Sequence, residues 1–143
     1  MRLTKIFNLG NIKSEHLYTQ LQKLDFKVFP NCGDEFLENR DWWVMVEEDG
    51  EIIAYCGCIY SEDICIFNRA WVHRKYRGIG IQKKMIDARL KAAKLSCNVA
   101  ITYTTFDNVP SANNLIKSGF ILYNPLYAYA GDDKLYFIKR LVK

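Results

Sequence analysis

A short glycine-containing segment in the middle of the chain has the residue types of an anion site. Residues 76–85 read Tyr-Arg-Gly-Ile-Gly-Ile-Gln-Lys-Lys-Met and follow an apolar stretch, Ile64 to Val72. The two glycines allow the backbone to turn sharply and to bring its N–H groups close to an anion. The helical pattern beginning at Ile81 adds unpaired N–H donors, and Arg77 and Lys83 add positive charge. The segment therefore predicts a binding site for a phosphate or pyrophosphate.

Two common phosphate-binding motifs do not fit this segment. No Gly-Lys-Ser/Thr follows the turn, as a Walker loop requires, and the Gly-x-Gly spacing lacks the third glycine of the dinucleotide fingerprint. Instead, Val72 to Gln82 resembles the acyl-CoA loop of the GNAT superfamily of N-acetyltransferases, which reads Arg/Gln-x-x-Gly-x-Gly/Ala. Arg77 and Gly80 match this pattern, and Gln82 stands where the family usually has glycine or alanine.

A second motif supports the same resemblance. Asn108 to Phe120 reads Asn-Val-Pro-Ser-Ala-Asn-Asn-Leu-Ile-Lys-Ser-Gly-Phe, and it is similar to the family's Asn-x-x-Ser/Ala-x-Asn-x-Leu-x-x-x-Gly-Phe segment. The two motifs occur in the family's order, and the resemblance extends along the whole chain. It implies a single acyl-CoA N-acyltransferase domain over residues 1–143.

The spacing of apolar residues predicts an α/β protein with a mixed sheet. Strands are predicted at Leu3–Leu9, Trp42–Val46, Ile52–Tyr60, Ile64–Val72, Val99–Thr105, Ile121–Tyr123 and Leu135–Leu141. Helices are predicted after the N-cap residue Ser14, over Ile81–Leu95, and from Asn108 to about Ser118, where Gly119 ends the helix. Phe29 to Asn39 is expected to be a loop with a short helix. The resulting order, β-α-α-β-β-β-α-β-α-β-β, is that of the GNAT fold, whose central sheet is splayed.

The resemblance also implies acetyl-CoA as co-substrate, with no metal. The pyrophosphate is expected on the amides of the glycine turn, and the pantetheine along the end of the fourth strand, where that strand parts from the fifth. For Gln82, the carboxamide NH₂ is expected to donate to a phosphate oxygen. The residues assigned to the cofactor in this way are Trp71, Val72, His73, Arg77, Gly78, Ile79, Gly80, Ile81, Gln82, Lys83, Asn108 and Asn113.

The implied reaction is direct attack of a primary amine on the thioester in a ternary complex. A backbone N–H near Val72 is expected to stabilise the oxyanion. The family often has a tyrosine general acid at the position assigned here to Ile116, so Tyr103, near the end of the fifth strand, is the substitute candidate. A thiol whose pKa is about 8.5 leaves without full protonation, and proximity supplies much of the rate.

The acceptor is expected between the Phe29–Trp43 segment and the Tyr123–Asp133 loop. Aromatic and acidic side chains in these segments suit a small cationic amine or a protein amine better than a nucleic acid. They are Asp34, Glu35, Glu38, Tyr123, Tyr127, Tyr129, Asp132 and Asp133. Two alternatives stay open: an acyl-CoA-binding module without catalysis, and acetylation of a nucleic-acid-linked amine that is bound through the basic stretch Arg69–Lys94.

Composition indicates a folded protein and gives expectations for its location and its cysteines. Half of the 143 residues are hydrophobic, which argues against disorder. No apolar run is long enough to cross a membrane and the N-terminus lacks a signal-peptide pattern, so a cytoplasmic location is expected. A homodimer is one open arrangement. The five cysteines, including Cys56 and Cys58 on one face of a strand, are expected to be buried thiols in a reducing compartment.

Overall fold

A computed structural model describes residues 6–12, 14–30 and 40–141. The strands are β1 (Ile6–Asn8), β2 (Arg40–Val46), β3 (Ile52–Ser61), β4 (Ile64–Val72), β5 (Val99–Thr105), β6 (Ile121–Tyr123) and β7 (Lys134–Arg140). The helices are α1 (Leu9–Ile12), α2 (Glu15–Val28), α3 (Ile81–Ala93) and α4 (Val109–Lys117), with a 3₁₀ turn at Arg74–Tyr76. The described strands form one mixed sheet in the order β1-β2-β3-β4-β5-β7-β6. This confirms the predicted fold class.

The N-terminal part differs from the sequence prediction. The first strand ends at Asn8 rather than at Leu9, because the Asn8 Oδ1 atom accepts a hydrogen bond of 2.9 Å from the Gly10 N–H and starts a turn there. Leu9 begins the short helix α1, which the sequence did not predict and which precedes the N-cap residue Ser14. The short helix expected within Phe29–Asn39 falls largely on residues 31–39, which lie outside the described residues, as do residues 3–5 of the first strand.

The other helix ends follow local sequence signals. The Ser14 Oγ atom accepts from the Leu17 N–H at 3.2 Å and caps α2, and Asn108 Oδ1 accepts from the Ser111 N–H at 3.2 Å and caps α4. Gly119 follows α4 with φ +96°, a conformation that favours glycine. These caps confirm the predicted starts of both helices.

Helices cover the sheet on both faces and define two apolar cores. The first, the α3–α4 core, includes Met85 and Ile86 of α3 and Leu115 of α4. The second, the α2 core, lies on the opposite face and includes Leu21 of α2 and Tyr55 of β3. The sheet therefore separates two environments, one on the side of α3 and α4 and one on the side of α2.

The sheet is splayed between its two central strands, as predicted. β4 and β5 run parallel but pair only over Ile64–Ile66 and Val99–Ile101. The Thr102 Oγ1 atom donates to the Phe67 carbonyl oxygen at 3.0 Å and marks the point where the strands separate. Beyond it, the described residues of β4 and β5 form no further pairs, which leaves the β5-facing edge of β4 open toward Val72.

Candidate functional site

A cavity of about 850 Å³ lies between the end of β4, the glycine turn, the start of α3 and the face of α4. It includes ten of the twelve residues that the sequence assigned to a cofactor: Trp71, Val72, Arg77, Gly78, Gly80, Ile81, Gln82, Lys83, Asn108 and Asn113. Ser111, Asn114 and Lys117 of α4 also line it, and the sequence did not single them out as site residues. Their spacing of three along α4 is the signal that places them on one helix face.

The glycine turn leaves backbone amides available at one end of this cavity. Gly78 has φ +80° and Gly80 has φ +88°, so both adopt the left-handed conformation that glycine tolerates. Gly80 is the N-cap of α3 and provides no side-chain cap for the first-turn N–H groups. A Cβ atom at either glycine would meet no atom within 4 Å, so open space lies beside the turn. Uncapped amides, a helix N-terminus and open space together suit an anion.

Basic side chains surround these amides. The exposed Arg77 donates through Nε to the Val72 carbonyl oxygen at 3.0 Å, which ties the turn to the end of β4. Lys83 lies in the first turn of α3, and its Nζ atom forms an exposed ion pair of 2.9 Å with Asp87. Lys117 lines the cavity from α4. The positive charge at this end therefore comes from three separate elements.

The Lys83–Asp87 pair leads to a prediction about charge at the cavity. Asp87→Asn removes the competing carboxylate and is expected to tighten acetyl-CoA binding by up to about fivefold, since an exposed ion pair is worth no more than about 1 kcal/mol. Titration calorimetry of the wild type and Asp87→Asn measures the change. Lys83→Met is the matched control, because it removes the positive charge of the pair and should weaken acetyl-CoA binding. Weaker binding by Asp87→Asn would contradict the proposed role of Lys83.

Gln82 connects α3 to α4 through two side-chain hydrogen bonds. Its Nε2 atom donates to Ser111 Oγ at 2.8 Å, and its Oε1 atom accepts from Asn114 Nδ2 at 3.0 Å. The Nε2 atom carries a second hydrogen, so donation to a phosphate oxygen stays a prediction beside this bridge between α3 and α4. This bridge crosses the cavity wall at the position where the family usually has a small residue, and it fixes the separation of the two helices.

Two of the assigned residues do not line the cavity. His73 caps the 3₁₀ turn, because its Nδ1 atom accepts from the Lys75 N–H at 3.0 Å while its ring contacts Trp71 and Tyr76. Ile79, between the two glycines, is 43% exposed. These side chains shape the turn rather than the cavity.

Tyr103 does not line the cavity and lies on the face of the sheet opposite the α3–α4 core. Ala100 of the same strand is in the α3–α4 core, so strand alternation turns Tyr103 toward the α2 side. Its ring centre is 5.9 Å from that of Tyr129 and 6.3 Å from that of Tyr136. The Tyr136 hydroxyl donates to the Gly131 carbonyl at 2.6 Å, which anchors the β6–β7 loop beside these rings.

The remaining expected acceptor residues are distributed unevenly. Tyr129 packs in this aromatic cluster, and burial raises the pKa of its phenol. Tyr127, in contrast, is 77% exposed. A hydrogen bond from Lys134 lowers the pKa of the exposed Asp133, so this carboxyl group is ionised at neutral pH. Asp34, Glu35 and Glu38 lie outside the described residues.

The residue in place of the family's tyrosine carries no proton donor. Ile116 is 52% exposed on the outer side of α4, whereas its neighbour Leu115 is the side chain that enters the core. Neither side chain can serve as a general acid.

The described cysteines are free and buried, as predicted for Cys56, Cys58, Cys65 and Cys97. Burial raises the pKa of the Cys56 thiol to about 11, which keeps it protonated. Cys32 lies outside the described residues. Within the described chain, no cluster of three or more His, Cys, Asp or Glu side chains is arranged to hold a metal ion.

None of the helices in the described ranges has the length and hydropathy needed to span a bilayer.

Comparisons with known proteins place the chain in a family. The model of the acetyltransferase (GNAT) family matches residues 5–120. No curated protein sequence matches the chain significantly. Among solved structures, a GNAT-family acetyltransferase from Staphylococcus aureus Mu50 is 14% identical, with a TM-score of 0.75 and coverage of 96% of this chain and 99% of that one.

Two further solved structures share the fold. An aminoglycoside 6′-N-acetyltransferase complexed with coenzyme A is 16% identical, with a TM-score of 0.74 and coverage of 97% of this chain and 98% of that one. A chain of the NatC complex bound to Gag peptide and CoA is 18% identical, with a TM-score of 0.72 and coverage of 99% and 100%. With the family match over residues 5–120, the chain belongs to the acetyltransferase (GNAT) family.

Proposed function

We propose that this protein is an acetyl-CoA-dependent N-acetyltransferase that acts on a primary amine. The observation that carries the proposal is the cavity that joins the uncapped amides of α3 to the open edge of β4. Membership of the GNAT family supports it, as do the fold neighbours solved with coenzyme A. In this proposal, residues 1–143 form one catalytic domain that works in the cytoplasm.

The two ends of the cavity suit the two ends of an acyl-CoA. The diphosphate would lie on the amides that follow Gly80, with Arg77 and Lys83 balancing its charge. The pantetheine arm carries amide groups, and the β5-facing edge of β4 provides backbone donors and acceptors that β5 leaves unpaired. Asn108 and Asn113 line the facing wall and offer carboxamides to the same arm.

The proposed reaction needs little acid–base chemistry from the protein. The neutral amine attacks the thioester carbon, a C–N bond forms, the C–S bond breaks, and the nitrogen loses a proton as the thiolate leaves. A backbone N–H near Val72 would stabilise the oxyanion of the tetrahedral intermediate. A free alkylamine titrates near about 10.4, so deprotonation of the acceptor is the step that most needs help from a base or from desolvation.

Tyr103 is the proposed proton donor to the thiolate. Since Tyr103 does not line the cavity, this role requires the thioester end of the ligand to reach it through the gap where β4 and β5 are unpaired. Tyr103→Phe keeps the ring contacts with Tyr129 and Tyr136 and removes only the hydroxyl. Turnover is expected to fall by at most about 10²-fold, the lower end of the range for a positioned acid, because a thiolate leaves readily. Steady-state kinetics on a variant shown folded by circular dichroism measure this change, and full activity would remove Tyr103 from the mechanism.

An acceptor screen tests the function itself. Release of free CoA is followed with polyamines, amino sugars, lysine peptides and aminoacyl-tRNA, each at two salt concentrations. We expect turnover of a small cationic amine, since the β6–β7 loop carries Asp132, Asp133 and exposed Tyr127. Preferred turnover of aminoacyl-tRNA that falls steeply with salt would instead support the nucleic-acid-linked alternative. Binding of acetyl-CoA without turnover of any acceptor would support the non-catalytic module.

A further inference from the structure

A bulge in β4 lies directly beside the cavity. Between two ladder positions, β4 has two residues, Arg69 and Ala70, where β3 has only Cys56. Arg69 has φ +53°, in the left-handed region that non-glycine residues rarely adopt. The next residue, Ala70, forms part of the cavity wall. The irregular backbone of β4 is therefore continuous with the proposed cofactor site.

The bulge decides which groups of β4 face the cavity. Phe67 packs in the α3–α4 core, whereas Trp71, four residues later, packs against the α2 core. In a regular strand these two side chains would lie on the same face, because alternation has a period of two. The extra residue reverses the alternation, so the orientation of Ala70 to Val72 depends on the bulge.

A buried ion pair attaches this bulge to α2. Arg69 Nη1 lies 2.7 Å from Asp25 Oδ2, and the two side chains are only 9% and 5% exposed. The Tyr55 hydroxyl donates to the other oxygen of Asp25 at 2.8 Å. The Arg69 guanidinium also lies 5.6 Å from the centre of the Phe29 ring. The residue with the unfavourable φ therefore has its side chain buried in an ion pair with α2.

We propose that Asp25 and Arg69 are positioning residues for acyl transfer. Their ion pair holds Arg69 in the left-handed conformation and so keeps the backbone of Ala70 to Val72 turned toward the thioester end of the bound acyl-CoA. The inference rests on the proposed function, and it concerns only the pantetheine and acyl half of the ligand. The phosphates bind at the other end of the cavity, on elements that this ion pair does not touch.

Two substitutions separate the backbone effect from the loss of charge. Arg69→Ala and Arg69→Gly both remove the ion pair, but glycine adopts φ +53° without steric cost, whereas alanine does not. Calorimetry is run with acetyl-CoA and with 3′-phospho-ADP, which represents the phosphate half alone. For Arg69→Ala we expect about tenfold weaker acetyl-CoA binding. For Arg69→Gly we expect acetyl-CoA affinity within about threefold of wild type. Affinity for 3′-phospho-ADP should stay unchanged in both.

Controls keep the outcome decisive if a variant is unstable. Leu17→Ala weakens the packing of α2 without touching the ion pair, and it should bind both ligands as wild type does. If Arg69→Ala does not fold, the affinities of Asp25→Asn and Arg69→Lys for acetyl-CoA and 3′-phospho-ADP are compared instead. Weaker acetyl-CoA binding by Asp25→Asn, together with wild-type affinity in Arg69→Lys, which keeps the positive charge, supports the ion pair. Equal acetyl-CoA affinities in the alanine, glycine and wild-type proteins would overturn this inference alone. Failure of the wild type to bind acetyl-CoA would overturn the proposed function and this inference together.

Discussion

Gly80→Asp is expected to abolish acetyl-CoA binding, and Arg77→Ala to weaken it by about 1.5–3 kcal/mol, the range for hydrogen bonds to charged groups. Gly80 has φ +88° and open space on the side where a Cβ would project. A carboxylate in that space would occupy the proposed anion site and repel a diphosphate. Titration calorimetry with acetyl-CoA measures both variants.

The matched control for Gly80→Asp is Gly50→Asp. Gly50 also has φ +88°, and a Cβ atom there would meet no atom within 4 Å, but Gly50 lies in the turn between β2 and β3. Both substitutions therefore impose the same backbone strain, and only one of them places charge beside α3. Gly50→Asp should bind acetyl-CoA as wild type does. Unchanged affinity in both Gly80→Asp and Arg77→Ala would show that the cofactor binds elsewhere.

Asp25→Ala is expected to lower the free energy of unfolding by about 3–5 kcal/mol, the cost of removing one partner from a buried ion pair. The substitution leaves the Arg69 guanidinium, whose side chain is 9% exposed, without this carboxylate, and it also removes the acceptor of the Tyr55 hydroxyl. Domains of this size are stable by about 5–15 kcal/mol, so the loss is a large fraction of the total. Urea denaturation followed by circular dichroism gives the difference.

An exposed pair in the same protein provides the comparison. Asp87 is paired with Lys83 at 2.9 Å, but the two side chains are 52% and 39% exposed. Asp87→Ala should therefore change the free energy of unfolding by no more than about 1 kcal/mol. A loss below about 1 kcal/mol for Asp25→Ala as well would mean that water or other groups compensate the buried charge, and that α2 does not depend on this contact.

Much of the site could be predicted from the sequence because its signals are local. The glycines of the turn, the helix that follows and the basic side chains beside them are neighbours along the chain. Asn108 identifies the start of α4 in the same way, through a hydrogen bond that spans three residues. Left-handed glycines and N-caps act within one turn of backbone, so a few adjacent residues determine them.

Other features depended on contacts between distant residues. The Arg69–Asp25 bond joins residues 44 positions apart, and the Gln82–Ser111 bond joins residues 29 positions apart. No local preference predicts an arginine with positive φ, because the isolated residue disfavours that conformation and contacts with distant residues, including the buried carboxylate on α2, offset the cost. For Gln82, the side chain alone suited a phosphate ligand, and the approach of α4 supplied two partners that the sequence did not indicate.

The sequence by itself determined the glycine turn, the order of the elements and the splayed sheet that the family resemblance implied. Only the tertiary structure decided where β4 bulges, which face Tyr103 occupies and what Gln82 binds. The physical reason is the range of the interactions involved. Backbone dihedral preferences and caps are set by neighbouring residues, whereas the reversal of alternation at Arg69 and Ala70 is stabilised by a helix that precedes them by some forty residues.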